Sequence, residues 1–360
     1  MNRMNRFSLL FLCLAVAGCG GCAAPSHGGT ETIVDDPTEK VPRALLEAAY
    51  RYTTEKPVES AEGYQRYRLN GGGTVAGSVA PKIGGRLMFF GTTPPLSPWS
   101  VDYWRHQTNL LWNAPYGAAP DAGWNNLGGE KTWVGDMSLW RGFDPKGRRW
   151  PPPAWFDQDA LEVVSNSSTG LVLRSGFHTN GEWRVALERA FRFEGDRLVI
   201  RESLLSDSTD GPSPNDPRRV WSVTQVPFLP RLAARLVGEG RLAPSSDFPE
   251  QGERHGDWIL FDLAAAPDKA ALACDGDALA VEGPAGWLVV SQRADARFLG
   301  AFAEPGRALV YTTGAKPDAP AAAYTELEFV ALGPDAAQDI SFQILPPGRA
   351  PWDDFAETRD

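Results

Sequence analysis

The sequence predicts an all-β protein, a large antiparallel β-sandwich with one short N-terminal helix. From Val75 onward, apolar and polar residues alternate with a period of two, the pattern of strands that bury one face. Turn residues interrupt this pattern repeatedly, and the chain has 37 glycines and 30 prolines, which fits many turns and few helices. Strands do not alternate with helices, so a Rossmann-type nucleotide site is not expected.

Residues 1–18 are typical of a bacterial lipoprotein signal peptide. Arg3 and Arg6 precede FSLLFLCLAVAG, an apolar run too short for a stable membrane span. The phrase VAGC, ending at Cys19, resembles the lipobox, in which the cysteine thiol receives a diacylglycerol before cleavage. We therefore expect a lipid-anchored envelope protein, with Gly20 favouring the outer membrane, facing the periplasm or the exterior. The alternative is an ordinary secretory signal that happens to contain a cysteine.

The remaining chain divides into three predicted parts. Residues 19–40 are small and polar, as in a flexible tether. Residues 41–60 hold a short helix and a lead-in, because VPRALLEAAYRY has apolar residues at helical spacing. Residues 61–360 are predicted to form one β-sandwich domain.

Charge and cysteine content limit the partners. A formal net charge of -10 argues against a nucleic-acid partner, which would require a basic excess. After processing, Cys22 and Cys274 remain; a disulfide between them stays open, although Cys274 is expected to be a small buried residue. The histidines are scattered singly, so we predict neither a structural metal nor a cofactor.

The clearest strand pair is a hairpin around EGD. EWRVALERAFRF alternates apolar and charged residues and is followed, after the turn, by RLVIRESLL. A helix over Glu182 to Glu194 is the alternative. Further strands are predicted at GLVLRS, VWSVTQV, WILFDL, GWLVVSQ, RALVYTT and DISFQIL, and GGGTVAG at Gly71 is interpreted as a turn into a strand rather than a phosphate cradle.

Six short phrases occur in a suggestive order along residues 70 to 350. They are PKIGGR (81–86), NLLW (109–112), GGEKTW (128–133), WSVTQ (221–225), ELE (326–328) and LPPG (345–348). In this order they resemble the galactose mutarotase-like domains of the aldose 1-epimerase superfamily, especially a bacterial branch without an assigned function. The resemblance implies a twisted β-supersandwich whose concave face binds a sugar.

The resemblance also implies acid–base chemistry. In the superfamily's epimerases a glutamate takes the proton of the anomeric hydroxyl and a histidine gives one to the ring oxygen. In AYTELEFV the alternation places Tyr324, Glu326 and Glu328 on one face; Glu328 is our first candidate for the base and Glu326 the second. Two solvated carboxylates on an outer face are the alternative.

No histidine falls at the position that the resemblance implies, where this chain has WSVTQ. Gln225 can hydrogen-bond a sugar hydroxyl but cannot deliver a proton. His178, in SGFHTNG, is the remaining candidate acid if it reaches the cleft from a neighbouring hairpin; a loop histidine without a further role is the alternative.

The segment GWNNLGGEKTWVGDMSLWRG (123–142) crowds tryptophans beside glycine and charge, and it lacks the apolar run of a core strand. An indole face can stack on a pyranose while nearby polar groups bind its hydroxyls. Tryptophans that plug the ends of a sandwich, and a buried ion pair at Arg86, are the alternatives. The predicted substrate-binding residues are Arg86, Asn109, Glu130, Lys131, Trp133, Trp221 and Gln225.

Two functions follow from these patterns. The first is an envelope lipoprotein that binds a sugar or oligosaccharide, with epimerase-like chemistry through a carboxylate base. The second is a non-catalytic envelope module that recognises a glycan or a protein through the same cleft or through the proline-rich loop Trp140–Asp159. A glycosidase is disfavoured, because two carboxylates two residues apart on one strand do not straddle a glycosidic bond.

Overall fold

A computed structural model describes the protein over most of its length after residue 57. The described residues are 58–59, 65–71, 73–93, 108–113, 124–135, 137–144, 146–180, 183–206, 219–249, 252–264, 270–283, 285–294, 307–313, 323–331 and 337–354. All of them lie in one compact unit, residues 43–360. The predicted signal peptide, tether and short helix lie outside the described residues. Within the described ranges, no helix is long and apolar enough to cross a membrane.

The described chain is built mainly of strands. In chain order they are β1 (Val58–Glu59), β2 (Gln65–Asn70), β3 (Val75–Ala80), β4 (Arg86–Thr92), β5 (Thr108–Asn109), β6 (Glu130–Val134), β7 (Glu162–Asn166), β8 (Gly170–Arg174), β9 (His178–Asn180), β10 (Trp183–Glu194), β11 (Arg197–Ser206), β12 (Val220–Pro227), β13 (Arg231–Leu236), β14 (Leu242–Pro244), β15 (Glu253–His255), β16 (Trp258–Asp262), β17 (Ala270–Cys274), β18 (Gly276–Gly283), β19 (Gly286–Ala294), β20 (Arg307–Thr312), β21 (Tyr324–Ala331) and β22 (Ala337–Leu345). The helices in these ranges are short: α1 (Trp140–Phe143), α2 (Ala154–Asp157), α3 (Pro351–Asp354), and 3-10 turns at Pro81–Ile83 and Met137–Leu139.

The strands form two eleven-stranded antiparallel sheets. Sheet A has the order β1-β2-β3-β4-β6-β12-β21-β20-β17-β14, with β5 beside β4. Sheet B has the order β15-β16-β13-β18-β19-β22-β11-β10-β8-β7, with β9 beside β10. The prediction of a large antiparallel β-sandwich is therefore confirmed.

The predicted strands coincide with observed ones. The hairpin around EGD is β10 and β11, paired from Val185 opposite Ser206 to Glu194 opposite Arg197. The alternative helix over Glu182 to Glu194 is wrong, because Trp183–Glu194 is a strand with Val185, Leu187 and Phe191 buried. GGGTVAG leads into β3, as expected.

The apolar core lies between the two sheets. Phe90 on β4 of sheet A meets Phe342 on β22 of sheet B, with ring centroids 5.5 Å apart. Leu327 and Phe329 of β21 face this same core. Cys274 also belongs to it as a buried free thiol, as predicted, and burial raises its pKa to about 12. Cys22 lies outside the described residues.

A polar network is enclosed in the same inter-sheet layer. Arg189 of β10, fully buried, bonds both carboxylate oxygens of Glu130 on β6 and the carbonyl of Gly85. Thr132 and Gln338 donate to the two carboxyl oxygens of Glu202 on β11. Because Glu130 and Thr132 belong to sheet A and the other side chains to sheet B, this network joins the two sheets directly beneath β6.

The network predicts a pH-dependent stability. Burial and the neighbouring Glu130 raise the pKa of Glu202 from 4.5 to about 8. Between these values the folded protein holds a proton that the unfolded chain has lost, so the free energy of unfolding falls as pH rises. The contribution is complete below about pH 4.5 and is lost as pH passes about 8. We expect the Tm to fall from pH 5 to pH 8.5, and to fall less steeply in Glu202→Gln, measured by calorimetry; equal slopes would contradict this assignment.

Candidate functional site

Three neighbouring strands of sheet A, β6, β12 and β21, place a set of polar and aromatic side chains on the face turned away from the core. The antiparallel register sets Val223 opposite both Lys131 and Glu328, Trp221 opposite Trp133, and Gln225 opposite Glu326. Since side chains alternate along a strand, and Leu327 and Phe329 point into the core, Glu326 and Glu328 point to the outer face. We call this set the outer-face cluster: Lys131, Trp133, Trp221, Gln225, Glu326 and Glu328.

A close backbone approach leads the chain into β6. Gly128 and Gly129 have φ values of 80° and 73°, in the region that favours glycine. A Cβ on Gly128 would lie 2.3 Å from the carbonyl oxygen of Trp112. The GG pair therefore allows the GGEKTW and NLLW phrases to pack together, and Gly129 N donates to that same carbonyl at 2.7 Å.

The centre of the cluster is a pair of carboxyl groups. Trp221 Nε1 donates to Glu328 Oε2 at 2.9 Å, and Gln225 Nε2 donates to Glu326 Oε1 at 2.6 Å. The two carboxyl groups interact with each other, and a proton shared between them relieves the repulsion of two buried charges. Burial and then the charge of Glu326 raise the pKa of Glu328 to about 8, and burial also raises the pKa of Glu326. Near neutral pH Glu328 is therefore protonated, and the two carboxyl groups are suited to hold one proton between them.

Lys131 lies beside this pair. Its side chain is fully buried, and within the described part of the chain Nζ has no hydrogen-bond partner. Nζ sits 4.9 Å from the ring centroid of Trp124 and 4.8 Å from that of Trp133, which are cation–π distances. Burial and the nearby Arg86 lower the pKa of Lys131 to about 8, against the opposing effect of Asp157 and the two glutamates.

Asp157 of α2 lies next to the outer-face cluster and hydrogen-bonds three side chains there. Its carboxylate accepts the indole N–H of Trp124 at 2.6 Å and of Trp133 at 2.8 Å, and the guanidinium of Arg86 at 2.8 Å. Burial acts to raise the pKa of Asp157, but Arg86, Lys131 and the two indoles outweigh it, so the pKa lies below its usual value. Asp157 therefore stays ionised and fixes both tryptophans and the arginine.

Four tryptophan rings lie beside the carboxyl pair, and we call them the tryptophan wall: Trp124, Trp133, Trp150 and Trp221. Trp133 meets Trp221 edge-on at 5.0 Å between centroids, and Trp150 lies 5.1 Å from Trp124 and 6.0 Å from Trp133. Trp133 is only 4% exposed, whereas Trp221 is half-buried and Trp150 is 39% exposed. The faces open to a ligand are therefore those of Trp221 and Trp150, and Trp133 supports them from below.

Arg86, one of the predicted substrate-binding residues, forms the buried ion pair that was the alternative to sugar binding. It is fully buried, and besides Asp157 it donates to the carbonyl of Gly128 at 2.9 Å. It therefore lies next to the outer-face cluster and positions Asp157 without reaching a ligand.

Two predicted binding residues must be corrected. Glu130 precedes Lys131 in a strand, so its side chain points to the opposite face, where it pairs with Arg189 inside the sandwich. The side-chain amide of Asn109 is hydrogen-bonded to backbone atoms. Nδ2 donates to Met88 O at 3.1 Å, and Oδ1 accepts from Phe90 N and Leu111 N. Neither side chain is free to bind a sugar at the cluster.

His178 is also placed differently from the prediction. Its ring stacks on Trp155 with centroids 4.5 Å apart and an interplanar angle of 13°. Among the described residues, no hydrogen bond joins a histidine to Glu326 or Glu328. Burial lowers the pKa of His178, which makes it less often protonated at neutral pH. The structure therefore places His178 in a stack with Trp155 and not in hydrogen-bond contact with the carboxyl pair.

Two contributors were missed from the sequence. Asp157 ends the run AWFD, and an acid directly after buried aromatic residues was the available signal. Trp150, in the same loop, gave no signal beyond the general richness of the loop in aromatic residues. Among the described residues, no group of three or more His, Cys, Asp or Glu side chains is arranged to hold a metal ion.

Solved structures share this architecture, although no protein-family model and no curated protein matches the sequence. A protein of Synechocystis is 13% identical over 81% of this chain and 98% of its own, with a TM-score of 0.50. A galactose mutarotase-like protein from Lactobacillus casei is 8% identical over 78% and 99%, with a TM-score of 0.49. A galactose mutarotase related enzyme from Lactobacillus acidophilus is 9% identical over 78% and 97%, with a TM-score of 0.48.

At these identities the likeness concerns the fold alone. The class of protein that the fold defines is a large antiparallel β-sandwich of two sheets. The likeness carries no activity, substrate or site residue to this chain.

Proposed function

We propose that the outer-face cluster binds a sugar in its pyranose form and catalyses its ring opening, an aldose 1-epimerase-like reaction. The observation that carries this proposal is the half-buried Trp221, whose indole N–H holds one member of a proton-sharing carboxyl pair. An aromatic plane beside directed polar groups is the usual composition of a sugar site. The sequence phrases that resemble the mutarotase-like domains supply β6, β12 and β21 of this same surface.

The carboxyl pair can do the chemistry without a histidine. The ionised carboxylate takes the proton of the anomeric hydroxyl, the C1–ring oxygen bond breaks as the C1=O bond forms, and the protonated partner gives its proton to the ring oxygen. The pair ends with one proton, as it began, so the step balances and the reverse step closes the ring on either face. General acid–base catalysis of this kind needs pKa values near the working pH, which the raised pKa of Glu328 supplies.

Lys131 and Asp157 set the charge of the site. A cationic Lys131 beside the pair favours the state with one ionised carboxylate over the state with both protonated. Asp157, held ionised by Arg86, offsets part of that charge and fixes Trp133 beneath Lys131. The group as a whole is thus suited to hold one proton on two carboxyls.

The test combines binding and turnover on a panel of neutral aldoses. We expect calorimetric binding, and NMR exchange of anomers faster than in buffer, with both lost or weakened at least about tenfold in Trp221→Ala. Trp352→Ala is the matched control, because Trp352 is a partly buried tryptophan that stacks on His255, outside the outer-face cluster. Absence of sugar binding by the wild-type protein would refute the proposal.

A non-catalytic binding module is the second candidate, favoured by the lack of a histidine contact to the carboxyl pair among the described residues. Sugar binding without any rate above buffer would select it.

We further propose that lipid on Cys19 anchors the protein in the bacterial envelope, which the signal-like residues 1–18 and the lipobox-like phrase support. Labelled fatty acid should enter the wild-type protein in bacterial cells and be absent from Cys19→Ala, with the variant moving from the membrane to the soluble fraction. Equal labelling of the two would contradict the anchor.

A further inference from the structure

Next to the tryptophan wall, the chain presents an exposed group of cations. Arg141, Lys146, Arg148 and Arg149 are all exposed, and we call them the basic loop. Asp144 is the one acid in described residues 141–149, and it binds Arg148 Nε at 2.6 Å. The other three cations have no ion-pair partner within the described part of the chain.

This local excess is unusual for the molecule, whose net charge is -10. Some exposed arginines elsewhere are paired with carboxylates: Arg192 with Glu194, Arg231 with Glu282, and Arg241 with Asp275. Three cations without an ion pair among the described residues, all in one short loop and on a molecule of net negative charge, favour an anionic partner at this place.

The basic loop is continuous with the outer-face cluster. Trp150 directly follows Arg149 in sequence and is 39% exposed. The ring centroid of Trp150 lies 6.0 Å from that of Trp133, and the ring centroid of Trp133 lies 5.0 Å from that of Trp221. Trp221 donates its indole N–H to Glu328. A ligand that occupies Trp221 and extends along the wall would therefore meet Trp150 and then the arginines.

We propose that the site takes an acidic glycan, one whose sugars carry carboxylate groups, with a pyranose on Trp150 and a carboxylate on Arg149 and on the terminal amino groups of Arg148, whose Nε alone binds Asp144. A guanidinium matches a carboxylate with two parallel hydrogen bonds, and the indole face matches the C–H face of the sugar. The inference rests on the proposed sugar site and adds the substrate class to it. It also adds a second subsite, separate from the carboxyl pair.

The test compares polygalacturonate with its fully methyl-esterified form, which has the same backbone without charge. By calorimetry at fixed salt we expect the wild-type protein to bind the acid form at least about tenfold more tightly. Arg148→Gln/Arg149→Gln should remove this preference while leaving the binding of the ester form unchanged, and Trp150→Ala should weaken both. Arg231→Gln/Arg241→Gln, with the same change of charge at a paired site, is the control and should behave as wild type.

The outcomes separate the inference from the sugar site itself. Equal affinity for the two glycans, or an equal loss in the control variant, overturns the acidic-glycan subsite and leaves the proposed function standing. Binding of duplex DNA or phosphatidylglycerol vesicles as tight as that of polygalacturonate identifies a general polyanion surface and also overturns it. Failure of the protein to bind the acid form, the ester form and the neutral aldoses overturns both proposals.

Discussion

Arg189→Met is expected to lower the free energy of unfolding by about 3–5 kcal/mol, the usual cost of breaking a fully buried ion pair from one side. The guanidinium is fully buried and bonds Glu130 and the carbonyl of Gly85, so its loss leaves a buried carboxylate between the sheets without its cation. Arg189 also acts to lower the pKa of Glu202, so without it Glu202 would keep its proton to a still higher pH. Denaturant unfolding followed by tryptophan fluorescence measures the effect.

The same strand provides the control. Arg192 lies three residues further along β10 on the opposite face, where it is 46% exposed and pairs with Glu194. Exposed pairs contribute about 0–1 kcal/mol, so Arg192→Met should be nearly neutral. A second variant, Arg189→Met/Glu130→Met, removes both charges and should recover part of the loss. If Arg189→Met were no more costly than Arg192→Met, the network would not be what joins the sheets beneath β6.

The strand pattern made most of sheet B predictable, because strands with one buried face show their period directly in the sequence. The same alternation also contained Arg189, which falls in phase with Val185, Leu187 and Phe191. A charged residue in the buried phase indicates a buried partner, but the partner comes from another sheet and cannot be deduced from local sequence. This is why the inter-sheet network was not anticipated.

The part of the outer-face cluster that lies on a single strand, β21, could be predicted from the sequence. The alternation in AYTELEFV alone predicts that Glu326 and Glu328 share one face, and in the structure both lie on the same face of β21. GGEKTW was harder, because its strand has polar residues on both faces: Glu130 and Thr132 enter the network, and Lys131 lies among tryptophans. Because the segment lacks apolar alternation, its sequence does not indicate a strand. Glu130 and Lys131 were therefore both predicted to bind the sugar, although their side chains point to opposite faces of β6. Asp157 depends on a contact between α2 and β4, which only the tertiary structure specifies.

The carboxyl pair carries the second large effect. Glu328→Gln should lower the protein-dependent rate of anomer exchange by about 10²–10⁴-fold, the usual contribution of general acid–base catalysis. The amide can still accept the indole hydrogen bond of Trp221, so sugar affinity should change by less than about tenfold. Glu282→Gln removes an exposed carboxylate that pairs with Arg231 and should retain the wild-type rate.

The pH profile of the same reaction tests the shared proton. With one proton on two carboxyls, the rate should peak near neutral pH and fall above about pH 8, where Glu328 loses its proton. The rate should fall again at low pH, where both carboxyls are protonated and no base remains. Lys131→Met removes the cation that favours ionisation of the pair, so the low-pH limb should move to higher pH, a shift that a purely structural role for Lys131 would not produce. A profile that stays flat from pH 5 to pH 9, or a Glu328→Gln variant as fast as wild type, would show that the carboxyl pair does not transfer the protons.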